Sequence, residues 1–221
     1  MNVLSNPFAT RFTGPGSIDW IGPPNLNDVL SKLARHNFRG AFVGSHGAGK
    51  STLLEHLAPQ IGSVIFRRDA EGNQIERTRE RASGQRSIVW LQLRKSQPNT
   101  MRIPWSMLVA NDILILDGYE QLSRVKRAWV IFRTRVRKVG LLVTSHRASL
   151  LPTLFQLHIT TELARKIVEQ LVVEPSPFDV EFRNSIRHEI EHQLQSTGGN
   201  MRELLMSLYD RFEQCRSDRK W

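Results

Sequence analysis

The chain has 221 residues, 40% of them hydrophobic, which is enough for one domain or for a core with a small appendage. Its formal net charge is +10, and its single cysteine, Cys215, excludes an internal disulfide and a cysteine-rich zinc site. No apolar segment approaches membrane-spanning length, so we expect no membrane insertion and a cytoplasmic protein. The positive charge favours an anionic partner, although a solvated basic surface explains it equally well.

Residues 1–39 combine several prolines and glycines with scattered aromatic side chains, a pattern typical of an ordered but irregular leader. A helix from about Asn27 to His36 is predicted at the end of this leader, with Val29 and Leu33 on its buried face.

The most specific motif spans Gly44 to Ser51 and reads G-S-H-G-A-G-K-S, which matches G-x-x-x-x-G-K-[ST] at every fixed position. An apolar strand, Ala41–Val43, precedes it, and Thr52–Ala58 is predicted to be a helix closed by Pro59. The glycines let backbone N–H groups approach a polyphosphate, and the helix start adds further donors. The motif therefore predicts a nucleotide site formed by Gly44, Ser45, His46, Gly47, Ala48, Gly49, Lys50, Ser51 and Thr52.

Three side chains are predicted to act on the bound nucleotide with Lys50, which would reach the β- and γ-phosphates. The Ser51 hydroxyl is predicted to ligate Mg²⁺. Asp117 ends a run of apolar residues that is typical of a central parallel strand, the place where P-loop proteins hold Mg²⁺, usually through water. Glu120, the nearest carboxylate beyond this strand, is predicted to be the base that polarises the attacking water.

Two further strands are predicted before Asp117, around Ser63–Phe66 and Ser87–Leu93. The charged segment between them, residues 67–84, has no apolar period, and we expect a surface loop.

The segment Gln121–Lys138 is predicted to be an amphipathic helix that packs on the sheet through one apolar stripe. The stripe comprises Leu122, Val125, Trp129, Phe132 and Val136. The other faces carry Arg124, Lys126, Arg127, Arg133, Arg135, Arg137 and Lys138. This density of cations makes the helix the best local candidate for binding an anionic partner such as nucleic acid.

A strand over Gly140–Arg147 turns abruptly polar after Val143, so that Thr144 or Ser145 is expected near the γ-phosphate. A further strand, Phe155–Ile159, is predicted to complete the sheet. From Thr161 onward the composition turns helical.

The last predicted helix, Met201–Arg216, begins after two glycines. Asn200 is a fitting N-cap, with Glu203 three residues later as its capping-box partner.

The order of the P-loop, I-L-I-L-D-G-Y-E, L-L-V-T-S-H-R and G-G-N-M-R resembles the AAA+ and STAND branch of P-loop ATPases, and is most similar to origin-recognition-type and transposition-helper ATPases and NB-ARC-like switches. This resemblance implies that Thr144 or Ser145 is the sensor-1 residue. It also implies that Arg202, at the start of a lid helix, touches the γ-phosphate as sensor 2; an exposed residue beside a cap is the alternative. Gly118 stands where a catalytic Glu is usual, a departure that argues against fast hydrolysis.

Together these features predict an α/β fold, a three-layer sandwich with a five-stranded parallel sheet. Residues 1–160 would form the nucleotide-binding core with its leader, and residues 161–221 a small helical lid. ATP is favoured over GTP because no N-K-x-D motif is present.

The function predicted from the sequence is that of an Mg²⁺-dependent ATPase or ATP-dependent switch that acts on a macromolecule. Nucleic acid, another protein and a second copy of the chain remain open as partners. Two other classes also remain open: a nucleic-acid-binding module with a structural nucleotide site, and a small-molecule kinase whose insert, Arg67–Arg86, covers the phosphates.

Overall fold

The computed structural model describes residues 6–69, 73–77, 85–94, 103–172, 186, 189–192 and 199–218. The strands are β1 (Arg39–Gly44), β2 (Ser63–Arg68), β3 (Gln74–Arg77), β4 (Ser87–Gln92), β5 (Ile113–Asp117), β6 (Gly140–Ser145) and β7 (Thr153–Leu157). The helices with described bounds are α1 (Thr10–Thr13), α2 (Leu26–Arg35), α3 (Lys50–Ile61), α4 (Arg124–Val136), α5 (Thr161–Leu171) and α6 (Met201–Asp218).

The strands form one sheet of seven in the order β3-β2-β4-β5-β6-β1-β7. The β2–β4, β4–β5, β5–β6 and β6–β1 pairs are parallel, and β2–β3 is antiparallel. The predicted α/β class is therefore confirmed, and the predicted number of five strands is wrong. Six strands coincide with apolar segments recognised in the sequence, so the prediction was too low even before β3 is counted.

Strand β3 lies in the polar insert that the sequence predicts to be a loop. It is the edge strand of the sheet, and its described side chains are exposed. The Asp69 carboxylate accepts from the Asn73 backbone N–H at 2.7 Å, which brings β3 back alongside β2. An edge strand with both faces in solvent needs no alternation of apolar and polar residues, so its sequence carries no strand period.

The centre of the sheet positions the polar residues that follow its strands. Leu114 on β5 is in register with Leu141 on β6, and Ala41 on β1 with Val143 on β6. Residues Ile113–Leu116 are completely buried, as expected for a parallel strand covered on both faces. Because β1, β6 and β5 are adjacent and parallel, their carboxyl ends meet at one edge of the sheet, where ligands of open α/β sheets bind.

Helix α4 does not pack as the sequence predicts. Of the five predicted core-facing residues, Leu122 is buried just before the helix begins, whereas Val125, Trp129, Phe132 and Val136 are 80%, 44%, 66% and 66% exposed. The face that packs on the sheet is instead made of Val130, Ile131 and Thr134. Helical spacing identifies an apolar stripe, but it does not say whether the sheet or another molecule covers that stripe.

A buried polar contact explains why the other face of α4 meets the sheet. The Thr134 hydroxyl donates to the Val130 carbonyl at 2.8 Å and accepts from the Arg39 guanidinium at 2.9 Å. Arg39 also donates to the Val139 carbonyl at 2.7 Å. Burial and the nearby Arg135 lower the pKa of Arg39, so neither of them favours a charged guanidinium at this place. The hydrogen bonds are what hold Arg39 there.

The ends of two helices differ from the sequence prediction. Helix α2 begins at Leu26 because Asn25 is its N-cap, with a side chain that accepts from the Asn27 N–H. Helix α3 runs from Lys50 to Ile61 and contains Pro59 in its last turn, where the sequence predicts the helix to stop. The helical composition after Thr161 also predicts a helix from Asp179 to Gln195, and most of that range lies outside the described residues.

The chain divides into two compact units. One contains Pro24–Gly44 and Leu54–Gln156, and therefore nearly all of the sheet. The other contains the leader up to Pro23, the loop segment Ser45–Leu53 and the chain from Leu157 onward. The predicted division into a core and a lid at residue 160 stays a prediction.

The unit that contains the leader has its own hydrophobic core. Phe8 of the leader packs with Ala164 and Val168 of α5 and with Leu204 and Leu208 of α6. Hydrogen bonds also attach the leader to α6.

Asn6 connects the leader to α6. Its buried side-chain amide donates to the Tyr209 carbonyl at 3.1 Å and to the Glu213 carboxylate at 2.8 Å. Its side-chain oxygen accepts from the Phe8 N–H at 3.0 Å, which forms the local turn. The Asn-Pro-Phe sequence of residues 6–8 is therefore a device that docks the leader on α6.

We expect Phe8→Ala to lower the free energy of unfolding by about 3 kcal/mol or more, because it leaves a cavity among α5 and α6. Phe12→Ala is the matched control, since Phe12 is 40% exposed and Phe8 2% exposed. Urea unfolding followed by circular dichroism measures both. Equal losses for the two variants would show that the leader is not packed in this way.

Candidate functional site

The phosphate-binding motif forms the loop between β1 and α3, and this loop is closed by hydrogen bonds to its own backbone. Gly47 and Gly49 have φ angles of +70° and +81°, which other residues adopt only with strain. The Ala48 N–H donates to the Ser45 carbonyl at 3.3 Å, and the buried Lys50 ammonium donates to the same carbonyl at 2.6 Å. Helix α3 begins at Lys50. The loop therefore has the backbone that the motif predicts, with its lysine folded over it.

The first turn of α6 lies directly against this loop, within the same unit. A Cβ atom on Gly47 would come within 2.1 Å of the Asn200 side-chain oxygen, 2.8 Å of the Met201 nitrogen and 3.0 Å of the Arg202 nitrogen. Glycine at position 47 is thus required by the approach of α6 as well as by its φ angle. This contact could not be derived from the motif, because the motif does not specify which helix covers the loop.

The predicted cap of α6 is present. The Asn200 side-chain oxygen accepts from the Arg202 N–H at 3.2 Å, and its amide donates to the Glu203 carboxylate at 2.6 Å. Arg202 lies in the first turn of α6 with an exposed side chain. The N-terminal end of a helix, which carries unpaired N–H groups and a partial positive charge, is therefore beside Gly47.

The leader also contributes to the surroundings of the loop. A Cβ atom on Gly49 would meet the indole ring of Trp20 at 3.3 Å. Trp20 therefore packs on the loop backbone, and the leader is part of the loop's own unit.

A second group of polar residues lies at the ends of β5 and β6. The Thr144 hydroxyl donates to Asp117 Oδ1 at 2.5 Å and accepts from the Gly118 N–H at 2.8 Å. The sequence leaves Thr144 and Ser145 as alternatives, and Thr144 is the one that contacts the carboxylate. Ser145 instead accepts from the Arg147 N–H at 3.3 Å.

Gly118 has a structural reason to stand where a catalytic Glu is usual. Its φ angle is +89°, and a Cβ atom there would lie 2.7 Å from the Leu93 carbonyl oxygen. No side chain fits this backbone. The chain then continues into a 3₁₀ turn, Tyr119–Gln121, so Glu120 is the first carboxylate that can follow β5.

Glu120 is connected to the end of β1 through a histidine that the sequence analysis missed. Glu120 Oε1 lies 3.0 Å from His146 Nε2, and His146 Nδ1 lies 3.1 Å from the Gly44 carbonyl oxygen. The second oxygen, Oε2, is buried and has no hydrogen-bond partner among the residues that the structure describes. His146 follows Thr144 and Ser145 at the polar end of β6, which is the sequence signal that could have identified it.

His146 lies between the Gly44 carbonyl and the Glu120 carboxylate. A carbonyl oxygen only accepts hydrogen bonds, so Nδ1 carries a proton that it donates to Gly44. His146 Nε2 lies against Oε1 of the Glu120 carboxylate. The contact therefore holds one carboxylate oxygen of Glu120 and leaves the other for a different partner.

The turn that carries Glu120 is held from α4. Arg127 donates to the Glu120 carbonyl at 2.6 Å and to the Leu122 carbonyl at 2.7 Å. The buried Tyr119 hydroxyl donates to the Arg127 carbonyl at 3.2 Å. Burial raises the pKa of Tyr119 to about 12, so this donor keeps its proton throughout the physiological range.

Several arginines that the sequence offers to an anion are engaged within the protein. Arg67 forms two hydrogen bonds with the Glu55 carboxylate and stacks on Trp90. Arg86 donates to the Asn111 carbonyl at 2.9 Å. Residues 70–72 and 78–84 of the same insert lie outside the described residues.

The oxygen ligands that the sequence assigns to Mg²⁺ fit its chemistry. Mg²⁺ is usually held by one or two protein oxygens together with phosphate and water, and does not need a dense cluster. Asp117 offers a carboxylate at the end of β5, and Ser51 a hydroxyl in the first turn of α3. In the described ranges no three His, Cys, Asp or Glu side chains gather into a metal site.

Comparison with known proteins adds little to this picture. No protein-family model matches the sequence, and no curated protein matches it either. One matching solved structure is NtrX from Brucella abortus in complex with ATP, with 13% identity and a TM-score of 0.46. The alignment covers 90% of this chain and 51% of that chain, so the chain spans about half the length of the NtrX structure. Within the described residues, no helix has the length and apolar character needed to cross a membrane.

We expect Gly47→Ala to destabilise the protein more than Gly49→Ala does. Both substitutions put a side chain at positive φ, at a cost of about 1–2 kcal/mol each. At position 47 the methyl group also collides with the backbone of α6, whereas at 49 it meets a tryptophan ring. The free energies of unfolding of the two variants, measured without nucleotide, test this order. Equal values would show that α6 does not press on the loop.

Proposed function

We propose that the chain binds Mg·ATP at the loop Gly44–Thr52 and hydrolyses it to ADP and phosphate. The support is the backbone of the loop, with positive φ at Gly47 and Gly49 and with α3 beginning at Lys50. Such a loop directs N–H groups and a helix N-terminus at a bound polyphosphate. A loop of this kind binds the phosphate groups and makes no contact with the base. We favour ATP over GTP because the sequence has no N-K-x-D motif.

Each residue of the loop has a defined task in this proposal. Lys50 leaves the Ser45 carbonyl and places its ammonium beside the β- and γ-phosphates. Ser51 and Asp117 provide the oxygen atoms that hold Mg²⁺, directly or through water. When bound, Mg²⁺ neutralises charge on the phosphate oxygens. Thr144 orients Asp117, because its hydroxyl hydrogen is directed at the carboxylate.

Glu120 is proposed as the base, and one observation carries this assignment. Its Oε2 atom is buried and no described residue forms a hydrogen bond with it, whereas Oε1 is held by His146. An unpaired buried carboxylate oxygen is costly unless a ligand or water completes it. A water that donates to Oε2 would be oriented and would lose its proton to Glu120 as it attacks the γ-phosphate. His146 is a positioning residue that holds the carboxylate.

Arg202 is proposed to contact the γ-phosphate from the first turn of α6. Its backbone nitrogen is adjacent to Gly47, and its exposed side chain is available to reach a ligand at the loop. Because α6 contributes both an arginine and a helix N-terminus, nucleotide binding would stabilise its position. Such coupling would make the chain an ATP-dependent switch that acts on a macromolecule. A cytoplasmic location stays a prediction.

The two arginines at the ends of the polar insert, Arg67 and Arg86, argue against the kinase alternative. A kinase of this kind needs mobile arginines that close over the phosphates. Arg67 and Arg86 are instead bonded to Glu55 and to the Asn111 carbonyl. A hydrolase is therefore the better proposal.

Lys50→Ala should weaken Mg·ATP binding at least about tenfold, because it removes the cation that faces the β- and γ-phosphates. Lys166→Ala is the matched control, since Lys166 forms an exposed ion pair with Glu162 on α5. Isothermal titration of each purified variant with Mg·ATP measures the change. A Lys50→Ala variant that binds like the parent would refute the site.

Glu120→Gln should lower kcat by about 10²–10⁴-fold while Mg·ATP binding is retained, because the amide cannot accept the proton of water. His146→Ala should lower kcat less, and combining it with Glu120→Gln should cause no further loss. This non-additivity is expected if His146 acts through Glu120.

The matched control for this pair is His158→Ala, an exposed histidine whose replacement should leave kcat unchanged. Additive losses in the double variant would show that His146 does not act through Glu120. Full turnover by Glu120→Gln would remove Glu120 from the mechanism, and the binding result for Lys50→Ala would still stand by itself.

A further inference from the structure

Helix α4 presents an apolar stripe to solvent, formed by Val125, Trp129, Phe132 and Val136. The spacing of four, three and four residues keeps these side chains on one side of an α-helix. The opposite side packs on the sheet through Val130 and Thr134, and no described part of the chain covers the stripe. Contiguous exposed apolar side chains of this size mark interaction sites.

Cations line both sides of the stripe, and no acidic residue occurs in the helix. At 3.6 residues per turn, Arg124 and Arg135 lie on one side of the stripe and Lys126 and Arg133 on the other. In the part of the chain that the structure describes, Arg124, Arg133 and Arg135 form no ion pair with a carboxylate. The surface therefore combines a coiled-coil-like apolar seam with positively charged flanks.

The middle of the stripe, Trp129, is held by contacts with neighbouring side chains. The ring of Trp129 meets that of Trp105 edge to face, with centroids 5.3 Å apart. The Arg133 guanidinium lies 4.9 Å from the centroids of both rings. Tryptophan and arginine dominate the energetics of protein interfaces, and a rigid cluster loses little entropy when a partner binds.

We propose that this face of α4 binds an acidic amphipathic helix of another protein. The apolar face of such a helix would cover the stripe, and its Asp and Glu side chains would pair with the flanking cations. Charge complementarity identifies this partner, because the stripe alone would accept any apolar helix.

Two other occupants fit the surface less well. A second copy of the chain would place the cations of one α4 against those of the other, in either orientation of the helices. Duplex DNA would pair with cations but would leave four apolar side chains against a phosphate backbone. Two arginines are also engaged, since Arg127 of the helix and Arg137, its C-cap, donate to main-chain carbonyls.

The test uses three labelled peptides of about 20 residues, long enough to form an amphipathic helix on binding. The first has Leu on one face and Glu beside it, the second has Lys in place of Glu, and the third has Ser in place of Leu. Fluorescence anisotropy with the purified chain measures binding. We expect only the first to bind saturably, at about micromolar concentration, with an affinity that falls as salt increases.

Variants of the chain locate the bound peptide. Val125→Ser with Phe132→Ser should weaken binding of the acidic peptide by about tenfold or more, and so should Arg124→Glu with Arg135→Glu. All four side chains are exposed, and the unfolding midpoint of each variant should match that of the parent. Leu150→Ser is the matched control, because Leu150 is another exposed apolar residue of the same unit.

Several results would overturn the proposal. Equal binding of the Glu and Lys peptides would mean apolar adhesion without charge recognition, and no saturable binding would remove the site. A dimer that dissociates in the Val125→Ser/Phe132→Ser variant would identify a second copy as the occupant. Displacement of the peptide by duplex DNA would identify nucleic acid instead. None of these results depends on ATP turnover.

Discussion

One set of hydrogen bonds at the ends of three neighbouring strands organises the candidate site. His146, after β6, contacts the Gly44 carbonyl at the end of β1 and Glu120 beyond β5. Thr144 joins the same strand to Asp117. These contacts require β6 to lie between β1 and β5, as the sheet order has it. A change at His146 would therefore affect two other strand ends, and a change at Thr144 would affect one.

The choice of residue after Asp117 follows from backbone geometry. Gly118 is forced by a φ of +89° and by the Leu93 carbonyl, which excludes a carboxylate at that position. The 3₁₀ turn that follows, pinned by Arg127, places Glu120 where one of its oxygens meets His146 and the other is buried and unpaired. In the proposed mechanism the base therefore comes from a different position, and a second residue, His146, holds it.

Local chemistry in the sequence predicted the loop backbone, the α/β class and the Asn200 cap, because each depends on residues close in the chain. The contact of His146 with Glu120 could not be predicted, since it depends on which strands are neighbours. The outward face of α4 was predicted wrongly, because a stripe that contains Trp129 fits a core and an interface equally well. Strand β3 was missed because an exposed edge strand needs no apolar period.

The central claim is that this chain hydrolyses ATP at the loop that contains Lys50. The most direct measurement incubates the purified chain with ATP labelled at the γ-phosphate and Mg²⁺, and separates the products over time. The account predicts labelled inorganic phosphate in an amount equal to the ADP formed, and no product when EDTA removes Mg²⁺. Unchanged ATP, or label transferred to an acceptor other than water, would contradict it.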